Sequence, residues 1–127
     1  MPTPHDVRAL LERYAGAMNA RDRATWIDCF ADDAVQEDPV GTPPNIGRDA
    51  IAAFFDANDV PVTLRITADP IVIGDEVLAF FDVLAEIDGT TMTLPRIVDH
   101  IRLTPDGSRF ASLRAFFDYA ELRPYER

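Results

Sequence analysis

Residues Thr91–Leu103, TMTLPRIVDHIRL, decide the fold, because they alternate with the period of two that is typical of a long β-strand. The alternation predicts that one face carries Thr93, Pro95, Ile97, Asp99, Ile101 and Leu103. Asp99 therefore lies among aliphatic side chains, where a carboxylate loses hydration. We expect its neutral form to be favoured and its pKa to be raised. A protonated carboxyl can donate a hydrogen bond, which suits stabilisation of negative charge on a substrate oxygen.

A structural ion pair is the alternative explanation for an inward-facing acid. Arg96, Arg102 and Arg114 lie on the same or the following predicted strand and could neutralise Asp99. The pattern alone leaves both interpretations open.

Composition predicts one globular domain over residues 1–127. Hydrophobic residues make up 47% of the chain and charged residues 27%, which is not the composition of a disordered chain. The formal net charge is −10, so most of the surface repels polyanions. We therefore expect no nucleic-acid partner.

Membrane insertion and metal chemistry are also not expected. No stretch approaches the roughly 20 apolar residues of a membrane-spanning helix, and a cytoplasmic location is predicted. Cys29 is the only cysteine, and the two histidines, His5 and His100, fit no metal-ligand spacing. Phosphate-binding loops and nucleophile elbows are absent from the sequence. Any catalysis is expected to use oxygen acids and bases.

Three helices are predicted in the first half of the chain. Thr3 and Pro4 form the start of the first helix, whose apolar face includes Tyr14. The residues of this face are Val7, Leu10, Leu11, Tyr14, Ala15 and Met18. A second helix is predicted from Asp22 to about Ala31, and a third follows Gly47 and ends near Asn58.

The second half of the chain is predicted to form strands, after a short strand at 34–37 and an irregular segment at 38–45. The predicted strands are Val62–Ala68 with an extension at Ile71–Ile73, Glu76–Ile87, Thr91–Leu103 and Arg109–Tyr119. Turn sequences at Asp88-Gly89 and 105–107 join the last three strands and predict antiparallel pairing. Helices followed by a meander predict an α+β domain, with a bulge at Pro95 that curves the sheet around the helices.

The curved sheet is expected to enclose an apolar cavity. Alternate residues from Val77 to Ile87 and from Ala111 to Phe117 are apolar. Candidate substrate contacts in this interior are Trp26, Phe30, Phe54, Phe55, Phe81 and Phe117. Several strands carry apolar residues on both faces, which predicts that both faces are buried and that the chain forms a homodimer.

Tyr14, Asp38 and Asp99 are the candidate catalytic residues. Tyr14 lies on an apolar helix face and its hydroxyl needs a polar partner there, although such a tyrosine is more often a core residue. Asp38 precedes Pro39 in a turn at the predicted rim of the cavity, where a carboxylate could reach a substrate proton. Asp82 is a rival acid with no other supporting feature.

Several segments together resemble the bacterial ketosteroid isomerases, which belong to the superfamily of nuclear transport factor 2. The segments are Arg13-Tyr14, Asn19–Asp22, Phe30–Ala34, Glu37-Asp38-Pro39-Val40-Gly41, Ile51–Phe55 and Ile97–His100. The resemblance covers nearly the whole chain, and residues 37–41 are its most specific part.

This resemblance implies a cone-shaped barrel of three N-terminal helices in a strongly curved antiparallel sheet, usually as a homodimer. It implies a steroid delta-isomerase that moves the β,γ double bond of a 3-oxo-Δ5 steroid into conjugation, without cofactor or metal. Tyr14 matches the tyrosine of the oxyanion hole, Asp99 the protonated acid beside it and Asp38 the general base. The partner implied is a small hydrophobic, steroid-like ketone.

The sequence departs from that pattern at two positions. Some family members carry tyrosines, hydrogen-bonded to the oxyanion tyrosine, at the places of Phe30 and Phe55. Phenylalanine keeps the packing and removes the hydroxyl, so we expect Tyr14 to have an altered acidity. Two alternatives stay open: another enzyme of the superfamily, of the epoxide hydrolase or polyketide cyclase type, and a noncatalytic module that binds a hydrophobic ligand.

Overall fold

A computed structural model describes residues 2–126 as three helices against a curved sheet. The helices are α1 (Pro4–Ala20), α2 (Arg23–Asp28) and α3 (Arg48–Ala57). The strands are β1 (Phe30–Glu37), β2 (Asn45–Ile46), β3 (Val62–Ile73), β4 (Glu76–Ile87), β5 (Thr90–Leu103), β6 (Phe110–Phe116) and β7 (Arg123–Pro124). The predicted α+β class is confirmed.

Helix α1 begins where the sequence predicts. The Thr3 hydroxyl accepts a hydrogen bond from the Asp6 backbone N–H, and the Asp6 carboxylate accepts one from the Thr3 backbone N–H. The predicted apolar face is buried except for Met18, which is half-buried, and it includes Tyr14, which is 3% exposed. This face closes the concave side of the sheet, chiefly against β3.

The sheet is mixed rather than wholly antiparallel. Its strand order is β2-β1-β6-β5-β4-β3, with β7 paired to β5. The meander from β3 to β6 is antiparallel, as predicted, but β1 pairs with β6 in parallel. That contact joins the first third of the chain to its end, so no local pattern predicts it.

A bulge at Pro95 and Arg96 bends β5 and changes which face its residues occupy. Phe81 of β4 pairs with Ile97, and Val83 pairs with Leu94, so two β5 residues oppose Asp82 alone. The predicted bulge is confirmed. The prediction that Thr93 and Pro95 share the face of Asp99 is wrong, because the extra residue restarts the alternation, and Leu94 instead lines the cavity.

Three element boundaries also differ from the prediction. Helix α2 ends at Asp28, and β1 begins at Phe30 rather than Ala34, because the backbone N–H of Phe110 donates to Cys29. Pairing with β6 thus extends β1 towards its start, into residues 30–33. The sequence places the first two of these residues in the predicted second helix. Strand β6 ends at Phe116, and residues 119–121 form a single 3-10 turn instead of continuing to Tyr119.

The outer face of the sheet is partly apolar. Leu78 and Phe116 are 38% and 43% exposed on this face, and Phe80 and Val98 are half-buried there. The homodimer stays a prediction for which this face is the candidate surface. No helix within residues 2–126 is long and apolar enough to cross a membrane.

Arg96 gives a test of the bulge, because its φ of 57° is a left-handed conformation that favours glycine. We expect Arg96→Gly to be more stable than Arg96→Ala by about 1 kcal/mol. At Arg102, a β5 position without a positive φ, Ala should instead be more stable than Gly by about 0.5–1 kcal/mol. Urea unfolding of the four variants measures both differences, and the same order at the two positions would contradict the bulge.

Candidate active site

An apolar cavity of about 330 Å³ lies between α1, α3 and the concave face of the sheet. Its apolar lining consists of Met18, Phe54, Val60, Val62, Leu64, Val83, Ala85, Ile87, Leu94, Ile97, Ala115, Phe117 and Leu122. Its polar lining consists of Tyr14, Asp38, Asn58, Asp99 and Tyr119. The structure therefore brings the three predicted catalytic residues to one cavity, and none of the lining residues it describes is basic.

Asp99 is a buried acid without an arginine partner. It is 4% exposed, and its Oδ1 atom has no hydrogen-bond partner among residues 2–126. Its neighbours on the adjacent strands are Ala79 and Ala115, whose small side chains leave room beside the carboxyl. Burial, and secondarily the charge of Asp38, raises the pKa of Asp99 well above its ordinary value. The expected neutral acid is thus supported by its surroundings.

The arginines that could have neutralised Asp99 pair with other acids. Arg102 contacts Glu76 at 3.2 Å and Arg114 contacts Glu37 at 3.3 Å. Arg96 pairs with Glu121. The structural ion pair considered from the sequence is therefore not formed.

Asp82, the rival acid, is also neutralised by an ion pair outside the cavity. Arg65 makes a two-point ion pair with it, with both N···O distances at 2.7 Å, on the outer face of the sheet. Asp82 is not a cavity residue, so the rival acid is excluded from this site.

Tyr14 presents its phenol to the cavity from the buried face of α1. Burial raises the pKa of Tyr14 well above its ordinary value, and the charges of Asp99 and Asp38 add to the effect. The phenol consequently keeps its proton and can act as a donor.

Asp38 lies deeper than a solvated turn residue. It follows β1 and is joined to Pro39 by a cis peptide bond, and the N–H of Val40 donates to the carbonyl of Ala115 at 2.8 Å. That bond ties the turn to β6 beside the cavity. Burial raises the pKa of Asp38 to about 7. A solvated turn would leave this carboxyl with its ordinary pKa, whereas the cavity desolvates it and disfavours its charged form.

Two of the six predicted aromatic contacts, Phe54 and Phe117, line the cavity. The others lie behind the lining and are nearly or fully buried. They belong to what we call the aromatic cluster, formed by Tyr14, Trp26, Phe30, Phe55, Phe81 and Phe110. Trp26, Phe30, Phe55 and Phe81 thus pack in the core with Tyr14 and do not line the cavity.

Sequence reasoning missed the residues of the carboxyl-terminal segment. Tyr119 and Leu122 line the cavity after the chain leaves β6. Tyr119 and Asp38 line the same cavity, and the charge of Asp38 adds to partial burial in raising the pKa of Tyr119. An apolar Leu122 among polar residues is the one signal that could have indicated burial. Within residues 2–126, no group of three His, Cys, Asp or Glu side chains could hold a metal ion.

Many solved structures share this fold, and two of them show the range of their described roles. SalBIII, described as an epoxide hydrolase/cyclase-like enzyme in pyran ring formation in the polyether salinomycin, has a TM-score of 0.86 and 23% identity over 98% of this chain and 100% of its own. RV0760c from Mycobacterium tuberculosis, solved with estradiol-17beta-hemisuccinate, has a TM-score of 0.78 and 24% identity over 91% of this chain and 95% of its own. At these identities, the likeness extends to the fold alone.

The family is established by a separate match. The model of the SnoaL-like domain matches residues 11–112, from the middle of α1 into β6, and these residues include Tyr14, Asp38 and Asp99. The chain therefore belongs to the SnoaL-like domain family, within the nuclear transport factor 2-like superfamily.

Proposed function

We propose that this protein is an isomerase that moves the β,γ double bond of a 3-oxo-Δ5 steroid, or a similar fused-ring ketone, into conjugation. The observation that carries the proposal is the pairing of acids in one apolar cavity. Burial raises the pKa of Asp38 to about 7, and it raises the pKa of Asp99 well above its ordinary value. One carboxyl can therefore act as a base while the other remains a hydrogen-bond donor at the same pH.

The proposed reaction is an intramolecular proton transfer. The Asp38 carboxylate removes a proton from the carbon between the ketone and the alkene, and the electron pair of that C–H bond forms a dienolate. Tyr14 and neutral Asp99 donate hydrogen bonds to the ketone oxygen, where the negative charge collects. Asp38 then returns the proton two carbons further along, which places the double bond next to the carbonyl.

The cavity favours an uncharged, rigid substrate. Its lining is mainly aliphatic and aromatic, and among the described residues it has no basic group that would bind an anionic ligand, whereas ionised Asp38 would repel one. The similar fold of RV0760c accommodates an estradiol derivative, which is consistent with a steroid-sized ligand in this architecture.

An epoxide-opening or cyclising reaction is the second candidate. The likeness to SalBIII over the full length of both chains favours it, and an acid and a base facing each other could also serve ring closure. A hydrolase that holds water between acids and an arginine fits less well, since no described lining residue is an arginine. A noncatalytic binding module leaves the paired acids without a role.

Asp38→Asn should lower the kcat for a 3-oxo-Δ5 steroid by about 100- to 10,000-fold, because general-base catalysis is lost. Steroid binding should remain near normal, since the amide has the same shape. Ultraviolet absorbance of the conjugated enone measures turnover. Asp33→Asn, at an exposed position of β1, is the control and should retain activity. Retained turnover in the Asp38 variant would rule out this base.

Asp99→Leu should cost less than the Asp38 substitution, about 100-fold in kcat, because Tyr14 still donates to the oxyanion. Asp99→Asn is the matched control, since its amide N–H restores a donor at the same place and should recover part of the loss. Equal activity of the leucine variant and the unmodified protein would remove Asp99 from the mechanism.

The pH dependence follows from the pKa of Asp38. Its reactive form is the anion and burial raises its pKa to about 7, so kcat/KM should increase with pH up to about 7 and then level off. Tyr14 and Asp99 stay protonated in this range because their pKa values are raised. Steady-state rates across buffers measure the profile. A profile that is level down to about pH 5 would show that Asp38 is not the titrating base.

A further inference from the structure

The aromatic cluster surrounds Tyr14 with four rings. The centroid of Trp26 lies 5.9 Å from that of Tyr14, with an angle of 28° between the planes, and Phe110 approaches to 5.3 Å. Phe30 and Phe81 lie at 6.1 Å and 6.3 Å. Of the side chains in this cluster, only the phenol of Tyr14 and the indole of Trp26 carry a polar atom.

The indole N–H of Trp26 is buried with no hydrogen bond of good geometry. Trp26 is 0% exposed, and its Nε1 has no hydrogen-bond partner among residues 2–126. A buried donor without an acceptor is unfavourable, so natural interiors rarely retain one. Within the cluster, the oxygen of Tyr14 is the acceptor that this N–H can use.

We propose that Trp26 is a positioning residue for Tyr14, whose phenol oxygen accepts a hydrogen bond from the indole N–H while the phenol donates to the substrate oxygen. The effect on the reaction rests on the proposed function. A hydroxyl that accepts one hydrogen bond becomes a stronger donor of its own, because the bonds polarise one another. Trp26 would thereby strengthen the oxyanion hole without touching the substrate.

The acidity of the phenol agrees with this proximity. Burial raises the pKa of Tyr14, followed by the charges of Asp99 and Asp38, whereas the Trp26 side chain acts in the opposite direction. A donor directed at the phenol oxygen has this sign, since it favours the deprotonated form.

The fold holds the indole in place. Trp26 lies in α2, whose first turn is capped by Asp22, and its ring packs between Phe55 at 4.9 Å and Phe30 at 5.0 Å. This packing holds the indole beside the phenol ring of Tyr14, at 5.9 Å between the ring centroids. Phe30 and Phe55 offer no hydroxyl, so the indole is the donor this cluster provides.

Nuclear magnetic resonance tests the contact directly, because the chain contains a single tryptophan and its indole gives one ¹H–¹⁵N signal. Tyr14→Phe keeps the ring and its ring current but removes the acceptor, so the indole proton should move upfield. Tyr119→Phe, at another cavity tyrosine, is the matched control and should leave the signal in place. An unchanged signal in Tyr14→Phe, both free and saturated with a 3-oxo-Δ4 steroid, would overturn the proposal.

Kinetics then separate positioning from packing. Biosynthetic replacement of Trp26 by β-(3-benzothienyl)alanine puts sulfur in place of the N–H and keeps the shape of the ring. We expect kcat for isomerisation to fall about two- to ten-fold with KM unchanged, as for one lost hydrogen bond. An unchanged kcat would mean that the ring only packs and would overturn the positioning role. Failure of the unmodified protein to isomerise the steroid would overturn the proposed function alone, because the indole signal is read without turnover.

Discussion

Desolvation of two carboxyl groups in one apolar cavity is the constraint on which the site depends. Asp38 and Asp99 both have raised pKa values because burial disfavours their charged forms. Once Asp38 is ionised, its charge further favours the protonated form of Asp99, so the cavity tends to hold one negative charge rather than two. A lining arginine would remove this asymmetry. The arginines of β5 and β6 instead pair with acids outside the cavity. The charge of Asp38 therefore acts on the pKa of Asp99 without compensation by a nearby cation from residues 2–126.

The fold creates this situation through a few backbone features. The bulge at Pro95 and Arg96 bends β5 and sets the alternation that turns both Ile97 and Asp99 inward. Alanines beside Asp99 on β4 and β6 leave space at the carboxyl, and α1 covers that space with Tyr14. Behind Tyr14, the aromatic cluster excludes water and carries one further polar atom, the indole N–H of Trp26. The aromatic cluster thus limits the hydration of Tyr14, and Tyr14 in turn limits the hydration of Asp99.

Membership of the SnoaL-like family fixes the scaffold but not the reaction. The same architecture is found in a cyclase-like enzyme of polyether synthesis and in a protein solved with a steroid derivative. Function on a shared fold is determined by the side chains that reach the cavity. Here those side chains are one acid that ionises near neutrality, one that stays protonated and a buried phenol. This combination is the basis of the proposed proton transfer on a ketone.

The sequence by itself determined what depends on near neighbours along the chain. It predicted the buried face of α1 that carries Tyr14, the antiparallel strands β3 to β6 and the apolar surroundings of Asp99, because helical and strand periodicities are local. Only the tertiary structure decided the parallel contact of β1 with β6, the inward turn of Leu94 after the bulge and the depth of Asp38. It also decided that the ring of Trp26 packs beside Tyr14 and that Tyr119 and Leu122 line the cavity. These features depend on segments far apart in the chain, and desolvation is the summed effect of every element packed around a group.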